Sequence, residues 1–216
     1  MKIPDQVKFI DDFAFRECGG LEKIIFPSKL ETIERGAFFQ CYELKELYMS
    51  EGLLNIGNLA FSECCSLKRI EFPKGMEQIG GYAFSNCRQL EMIQLPEGLK
   101  EIGPCAFSLN ESLSGTLELP ESLQKIGEGA FACCFRLEGD LIIPAKVKTV
   151  GEGAFDGCHF SQIIIKNPHM EMECMFEDRK EDNPVIWGYE DSTAFDYALK
   201  YGCPFRNIAE WPGFDR

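Results

Sequence analysis

The amino-acid sequence predicts a solenoid: a right-handed, curved stack of 23- to 24-residue repeats, mostly β and loop, with a parallel β-sheet along one face and a short helix capping the C-terminal end. Three observations predict it. An Ala-Phe pair returns at a fixed interval, a cysteine stands three residues beyond almost every such Phe, and a strand-like apolar segment, in most units ending in proline, recurs between the pairs. One unit of this length cannot bury its own apolar side, and stacking neighbours does.

The alanines are Ala14, Ala37, Ala60, Ala83, Ala106, Ala130 and Ala154, giving four intervals of 23 and then two of 24. Their partners Phe15, Phe38, Phe61, Phe84, Phe107, Phe131 and Phe155 are expected to form one continuous buried row. The alanine leaves room for the neighbouring backbone. Three residues after each Phe come Cys18, Cys41, Cys64, Cys87, Asn110, Cys134 and Cys158, and three further on Leu21, Leu44, Leu67, Leu90, Leu113 and Leu137.

Each element then follows in order. The piece from Leu21 to Phe26 alternates at its end and reads as a short strand. Pro27, Pro73, Pro96, Pro120 and Pro144 close it, since proline has no N–H to give a ladder. A leucine-like residue (Leu30, Leu53, Met76, Leu99, Leu123, Val147) and an Ile or Val (Ile33, Ile56, Ile79, Ile102, Ile126, Val150) point inward. Gly57, Gly80, Gly103, Gly127 and Gly151 follow, expected to supply the positive φ of a tight turn. The extra residue of the late units enters at "SLSGTLELP" and "FRLEGDLIIP", read as a local bulge without change of register. At about 4.8 Å per strand, seven units span roughly 30 Å.

Residues 1–168 are read as about seven repeats, the first truncated, and residues 169–216 as a degenerate repeat plus a cap with a helix near 192–201. At the start, Ile3 matches Phe26 and Pro4 matches Pro27, so most of the first strand is missing and Phe9, Phe13 and Phe15 are expected to be under-covered. This edge is read either as a cut from a longer protein or as a contact with a partner. The period lapses over residues 166–184, which hold an acidic cluster. In "DSTAFDYALKYG" Asp191 or Ser192 can cap a helix, Lys200 suits its last turn and Gly202 the position after it. Ala194, Phe195, Ala198 and Leu199 are its predicted apolar face.

The pattern L-x-x-I-x-L-P-x-x-L-x-x-I-G-x-x-A-F-x-x-C, over residues about 3 to 168, resembles the BspA-type leucine-rich repeats, the leucine-rich repeat family 5-like surface proteins. As in that type, the Cys or Asn position precedes the strand. The tail "VIWGYEDSTAFDYALKYGCPF" looks like the family's closing segment. The resemblance implies surface proteins of mucosal bacteria that bind host or neighbouring-cell proteins.

A net charge of −13 repels phosphate backbones and anionic lipid, arguing against nucleic-acid and membrane-surface partners. No apolar run approaches the roughly 18 residues of a membrane span, and the start of this chain has no apolar signal region. Eleven cysteines, an odd number in an apolar-rich chain, read as mostly reduced thiols. On the ladder, neighbouring thiols run parallel, leaving the Cβ atoms near 4.8 Å apart, beyond usual disulfide reach. The ladder cysteines are therefore read as core. Cys65, Cys105, Cys133, Cys174 and Cys203 lie off the ladder without C-x-x-C spacing, and only His159 and His169 could join them in a metal site. Cys158-His159 are sequence neighbours with the thiol pointing inward, which does not make a nucleophile and base. "GEGAFAC" and "GEGAFDG" lack the ending of a phosphate loop. No catalytic residue, metal or cofactor is expected.

The strand face is the expected binding surface. Its outward residues Ile25, Tyr48, Glu71, Gln94, Glu118, Ile142 and Ile164, with Arg69 and Met92 from the adjoining row, form the candidate protein-binding strip, apolar toward both ends and polar between. The chain is thus expected to be a non-enzymatic interaction or adhesion module, alternatively a structural spacer of a larger surface protein. A thiol-dependent enzyme is the third class. It is read as a monomer or a weak dimer through its N-terminal edge. Its place is the cell surface or outside if the chain is a fragment, and the cytoplasm if it is complete.

Overall fold

The computed structural model describes residues 2–176 and 183–213. Each turn of the chain runs through three sides. The first side carries the predicted strands: Lys23–Ile25, Glu46–Tyr48, Arg69–Glu71 and Met92–Gln94 form a four-stranded parallel sheet. Ser114–Gly115, Arg136–Ile143, His159–Ile165, Val185–Gly188 and Phe205–Asn207 form a five-stranded one. The strand face is therefore divided in two. The division falls over residues 116–120, where the first extra residue enters and no strand forms. In the following unit the extra residue is absorbed by a register shift between Gly139 and Asp140, with Gly139 at φ 85°. Beyond the shift the ladder continues, Asp140 to Ile143 pairing Gln162 to Ile165.

At the proline corner the chain bends back, with the Leu30 N–H donating to the Pro27 carbonyl and equivalents at Pro73, Pro96, Pro120 and Pro144. The second side is a row of strands that the sequence reading did not separate. Eight two-residue rungs form one parallel sheet: Phe9–Ile10, Thr32–Ile33, Asn55–Ile56, Gln78–Ile79, Glu101–Ile102, Lys125–Ile126, Thr149–Val150 and Glu171–Met172. The inward Ile or Val of the first seven is buried, Met172 of the eighth is half-buried, and the residue beside each is at least partly exposed. Glu171–Met172 adds an eighth rung beyond the seven Ala-Phe units. The acidic residues 177–182 lie outside the described residues.

The third side is a turn built on Ala-Phe. Here the glycine expectation is corrected. Gly57, Gly80, Gly103, Gly127 and Gly151 do not have positive φ. A Cβ on any of the last four would stand 2.5–2.6 Å from the backbone of the preceding turn, so their role is close approach. The left-handed conformation falls instead on two residues flanking each Ala-Phe-x triplet. Before it stand Phe13, Gly36, Leu59, Tyr82, Cys105, Gly129 and Gly153; after it Glu17, Gln40, Glu63, Asn86, Leu109, Cys133 and Gly157. These kinks turn the backbone along the stack, and Leu59, Phe61 and Glu63 donate their N–H groups to Gly81, Ala83 and Ser85 at 2.8 Å.

Between the three sides lies one core. Phe38, Phe61, Phe84, Phe107, Phe131 and Phe155 are fully buried, and Phe15 at the first turn is half-buried. From Phe15 to Phe155 the rings stack in parallel, with centroids 5.1–5.8 Å apart and planes within 8°. Such offset pairs add about 0.5–1.5 kcal/mol each to their burial. At the N-terminal edge Phe9 and Phe13 are exposed, the Phe13 ring lying beneath the guanidiniums of Arg16 and Arg35.

The cap helix is Thr193–Tyr201. Of the two candidate caps, Ser192 accepts the Phe195 N–H, and Gly202 ends the helix in the left-handed conformation. Its buried face is Ala194, Tyr197 and Ala198; Phe195 and Leu199, expected inside, are exposed. The 194, 197, 198 spacing is what aligns along one helical stripe. Phe195 instead packs its ring edge to face with Phe205.

Candidate functional site

In the four-stranded sheet the middle residues Ile24, Leu47 and Ile70 point into the core and their neighbours point out, as strand alternation requires. Ile25, Tyr48, Arg69, Glu71, Met92 and Gln94 are exposed on this face, as is Glu118 in the break. Their charges are tied rung to rung at the start of the stack. Lys23 Nζ lies 2.7 Å from Glu46 Oε2, the Tyr48 hydroxyl donates to the same oxygen at 3.0 Å, and Lys23 sits 4.6 Å from the Tyr48 ring. The hydrogen bond from Lys23, then that from Tyr48, lowers the Glu46 carboxyl, and the same bond to Glu46 raises Lys23. Lys45 pairs with Glu22 at 3.3 Å.

One step further the sheet loosens. Strands Lys23–Ile25 and Glu46–Tyr48 pair at three positions, as do Arg69–Glu71 and Met92–Gln94, but between these two pairs only Tyr48 meets Glu71. A groove of about 790 Å³ lies over this step, lined by Lys45, Tyr48, Met49, Lys68, Arg69, Glu71, Phe72 and Glu91 among others. A second, of about 530 Å³, adjoins it and shares Arg69, Glu71 and Phe72, extending to Met92 and Gln94. Among the described residues no carboxylate forms an ion pair with Arg69 or Lys68.

The other end of the predicted strip is closed. Ile164 is fully buried and Ile142 half-buried, because the strand Val185–Gly188 and the turn Ile208–Glu210 fold over them. Ile164, Trp187 and Ile208 form a small apolar cluster of their own, flanked by Trp211. The Trp187 indole donates to Gln162 Oε1 at 2.6 Å, and the Arg206 guanidinium lies 5.4 Å over its ring. Ile164 is therefore not available on the face. The reading from outward positions failed there because the covering residues come from the non-repeating tail. It also missed Met49, Phe72, Lys45 and Lys68. Phe72 occupies the position before the proline, which the period marks as inward, yet is half-exposed.

The cysteine ladder has a defined chemistry. The Cys41, Cys64, Cys87, Cys134 and Cys158 thiols are buried and donate to the carbonyls of Phe15, Phe38, Phe61, Phe107 and Phe131 of the preceding turn, at 3.1–3.4 Å. Asn110 does the same with its amide, to Phe84 O at 2.9 Å and Phe107 O at 2.7 Å. Cys18, at the first turn, is half-buried. Burial pushes Cys41 up to about 11 and Cys134 up to about 12, so these thiols stay protonated at neutral pH. His159 and His169 are both exposed, and among the described residues no three metal-ligating side chains gather. Among them, too, no helix is long and apolar enough to cross a membrane.

A family model for the BspA type leucine rich repeat region matches residues 1–114 and 114–179 in 6 copies. The chain belongs to this family. Among solved structures of leucine-rich repeat proteins, the BspA-type chain is similar to that of T. pallidum, at 30% identity over 73% of this chain and 75% of that one, TM-score 0.65. It is also similar to one from Bacteroides ovatus ATCC 8483, at 29% identity over 86% of this chain, TM-score 0.63. It spans about half of that second protein, 54%. Among curated proteins none matches. The BspA-type pattern fixes the turn, the Phe column and the ladder. The outward residues of the face vary from rung to rung.

Proposed function

We propose that this chain is a non-enzymatic protein-interaction or adhesion module that holds an extended protein segment across the strand face, in the grooves bounded by Tyr48, Arg69, Glu71, Phe72 and Met92. The observation that carries this reading is the coincidence of three features at one place. The sheet loosens, an aromatic and a methionine are exposed, and a guanidinium without an ion-pair partner stands between them. Aromatic residues, Met and Arg are the types enriched at interfaces, and an unpaired Arg fork is free to take a carboxylate or a backbone carbonyl. The C-terminal third of the face, closed over Ile164, takes no part.

A random-peptide library displayed on phage and panned against the folded protein tests this. Enriched peptides are expected to lose at least tenfold in affinity on Tyr48→Ala and on Arg69→Ala, and to be indifferent to Lys125→Ala on the second sheet. Peptides that bind all three variants alike would remove the grooves from consideration. The second reading, a structural spacer, is favoured by the rung-to-rung ion pairs Lys8–Glu31, Lys23–Glu46, Lys100–Glu77 and Lys125–Glu101, which satisfy much of the surface internally. It predicts that no peptide is enriched.

A further inference from the structure

The cap holds a pair of thiols outside the ladder. A pocket of about 390 Å³ opens between the last rung and the end of the cap helix, and Cys174, Cys203, Tyr197, Lys200 and Tyr201 line it. The two cysteines belong to different bodies. Cys174 lies on the segment after Glu171–Met172, and its carbonyl accepts the Gly153 N–H of the preceding turn at 2.7 Å. Cys203 follows the helix cap Gly202, and its N–H donates to Ala198 O at 2.9 Å. Both residues are half-buried and line the pocket, where the Cys174 thiol donates to the Phe176 carbonyl at 2.7 Å. The two bodies are tied there by the Tyr197 hydroxyl, which accepts the Met175 N–H at 3.3 Å.

We propose that Cys174 and Cys203 are an oxidation site for a small hydroperoxide, and that the product is a Cys174–Cys203 disulfide that fastens the cap helix to the last turn. Cys174 reacts first. Burial and the neighbouring Cys174 push Cys203 up to about 11 and keep it protonated, which makes Cys203 the poorer first nucleophile of the two. The Cys174 sulfur attacks one peroxide oxygen, the O–O bond breaks, and an alcohol or water leaves with a proton, giving a sulfenic acid. The Cys203 sulfur then attacks that sulfur, the S–O bond breaks, and water leaves with the Cys203 proton. Two thiols are oxidised by two electrons in all, and one peroxide is reduced. The ladder thiols Cys41, Cys64, Cys87, Cys134 and Cys158 do not compete, being fully buried in the core away from the pocket.

The test treats the reduced, folded chain with one equivalent of hydrogen peroxide, blocks remaining thiols with N-ethylmaleimide, and maps the unreduced digest by mass spectrometry. The expected product joins the Cys174 and Cys203 peptides at two hydrogens below their summed mass, and Tm rises by several degrees because the bond closes a loop containing the whole helix. In Cys203→Ser the cross-link is absent and peroxide leaves Tm at the reduced value. Full maleimide labelling of both cysteines after peroxide overturns the proposal. So does a bond from either to another cysteine, or an equal rise of Tm in Cys203→Ser. None of these outcomes depends on what the strand face binds.

Discussion

Phe84 sits between Phe61 and Phe107 at 5.2 and 5.5 Å with the edge of Phe72 against it, and no part of it meets solvent. Truncating it to alanine is expected to cost about 3–5 kcal/mol. Phe195, 38% exposed, is expected to cost about 1 kcal/mol or less on the same change. Equal losses in urea unfolding would break the link between column position and stability. The two kinds of glycine-like position separate as cleanly. Gly103→Ala puts a Cβ 2.5 Å from Gly81 N and is expected to lose roughly 2 kcal/mol or more, although its φ is ordinary. Tyr82→Gly removes a side chain from a left-handed residue that Gly36, Gly129 and Gly153 occupy in other turns, and is expected to gain about 0.5–1 kcal/mol. The Phe and Cys columns were legible from the sequence because a fixed interval exposes any side chain that packs on its own copy. The left-handed residues were not. Leu59 and Tyr82 carry no local mark of positive φ, and the nearby glycines drew the inference to the wrong position.

Among the elements, the ladder of thiols makes a prediction about pH. In the unfolded chain a thiol ionises near 8.5; in the folded chain burial holds Cys41 and Cys134 at about 11 and about 12. Their contribution is fully present below the unfolded value and is lost as pH rises toward the folded ones. Cys41 and Cys134 are each expected to withdraw roughly 1–2 kcal/mol between pH 9 and 10.5, visible as a falling Tm in reducing buffer; a flat Tm over that range would mean these thiols are not sealed. The cap helix has its own test, since Ser192→Ala is expected to cost about 1 kcal/mol. Elements with a pattern were readable: three-residue strands ending at a proline, and a helix bracketed by Ser192 and Gly202. The eight two-residue rungs were not, because two residues cannot display an alternation. The helix face was misjudged at Phe195 and Leu199, where hydrophobicity was taken for burial.

Over the whole molecule, the stack is interrupted where the strand face divides. Strands Arg136–Ile143 and His159–Ile165 pair at six positions, whereas residues 116–120 join neither sheet. Amide exchange is expected to be slowest at Leu141 to Ile143 and faster at Leu117 to Leu119, by about tenfold or more, as protection follows ladder bonding. Uniform protection across both would show that the break is closed in solution. The solenoid and its parallel strands were legible as a whole, since the period demands them. How much of the candidate face remains open was not, because Trp187 and Ile208, which bury Ile164, stand outside the period. The oxidation pair was equally hidden, its two thiols coming from the degenerate turn and the cap.

The turn side of the stack has a sense of direction. From Phe15 to Phe131, each column phenylalanine gives its N–H to the alanine carbonyl of the next turn at 2.8 Å. The bonds all point one way, so the two ends of this column are chemically unlike, one offering acceptors and the other donors. A turn removed whole leaves a donor facing an acceptor of the same kind as before, and a turn copied and inserted finds both. On this side of the stack, length can thus change in whole turns with every one of these bonds remade. The outward residues travel with each copy, so every gain or loss of a turn also rewrites the order in which charges and aromatic rings meet whatever lies along the face.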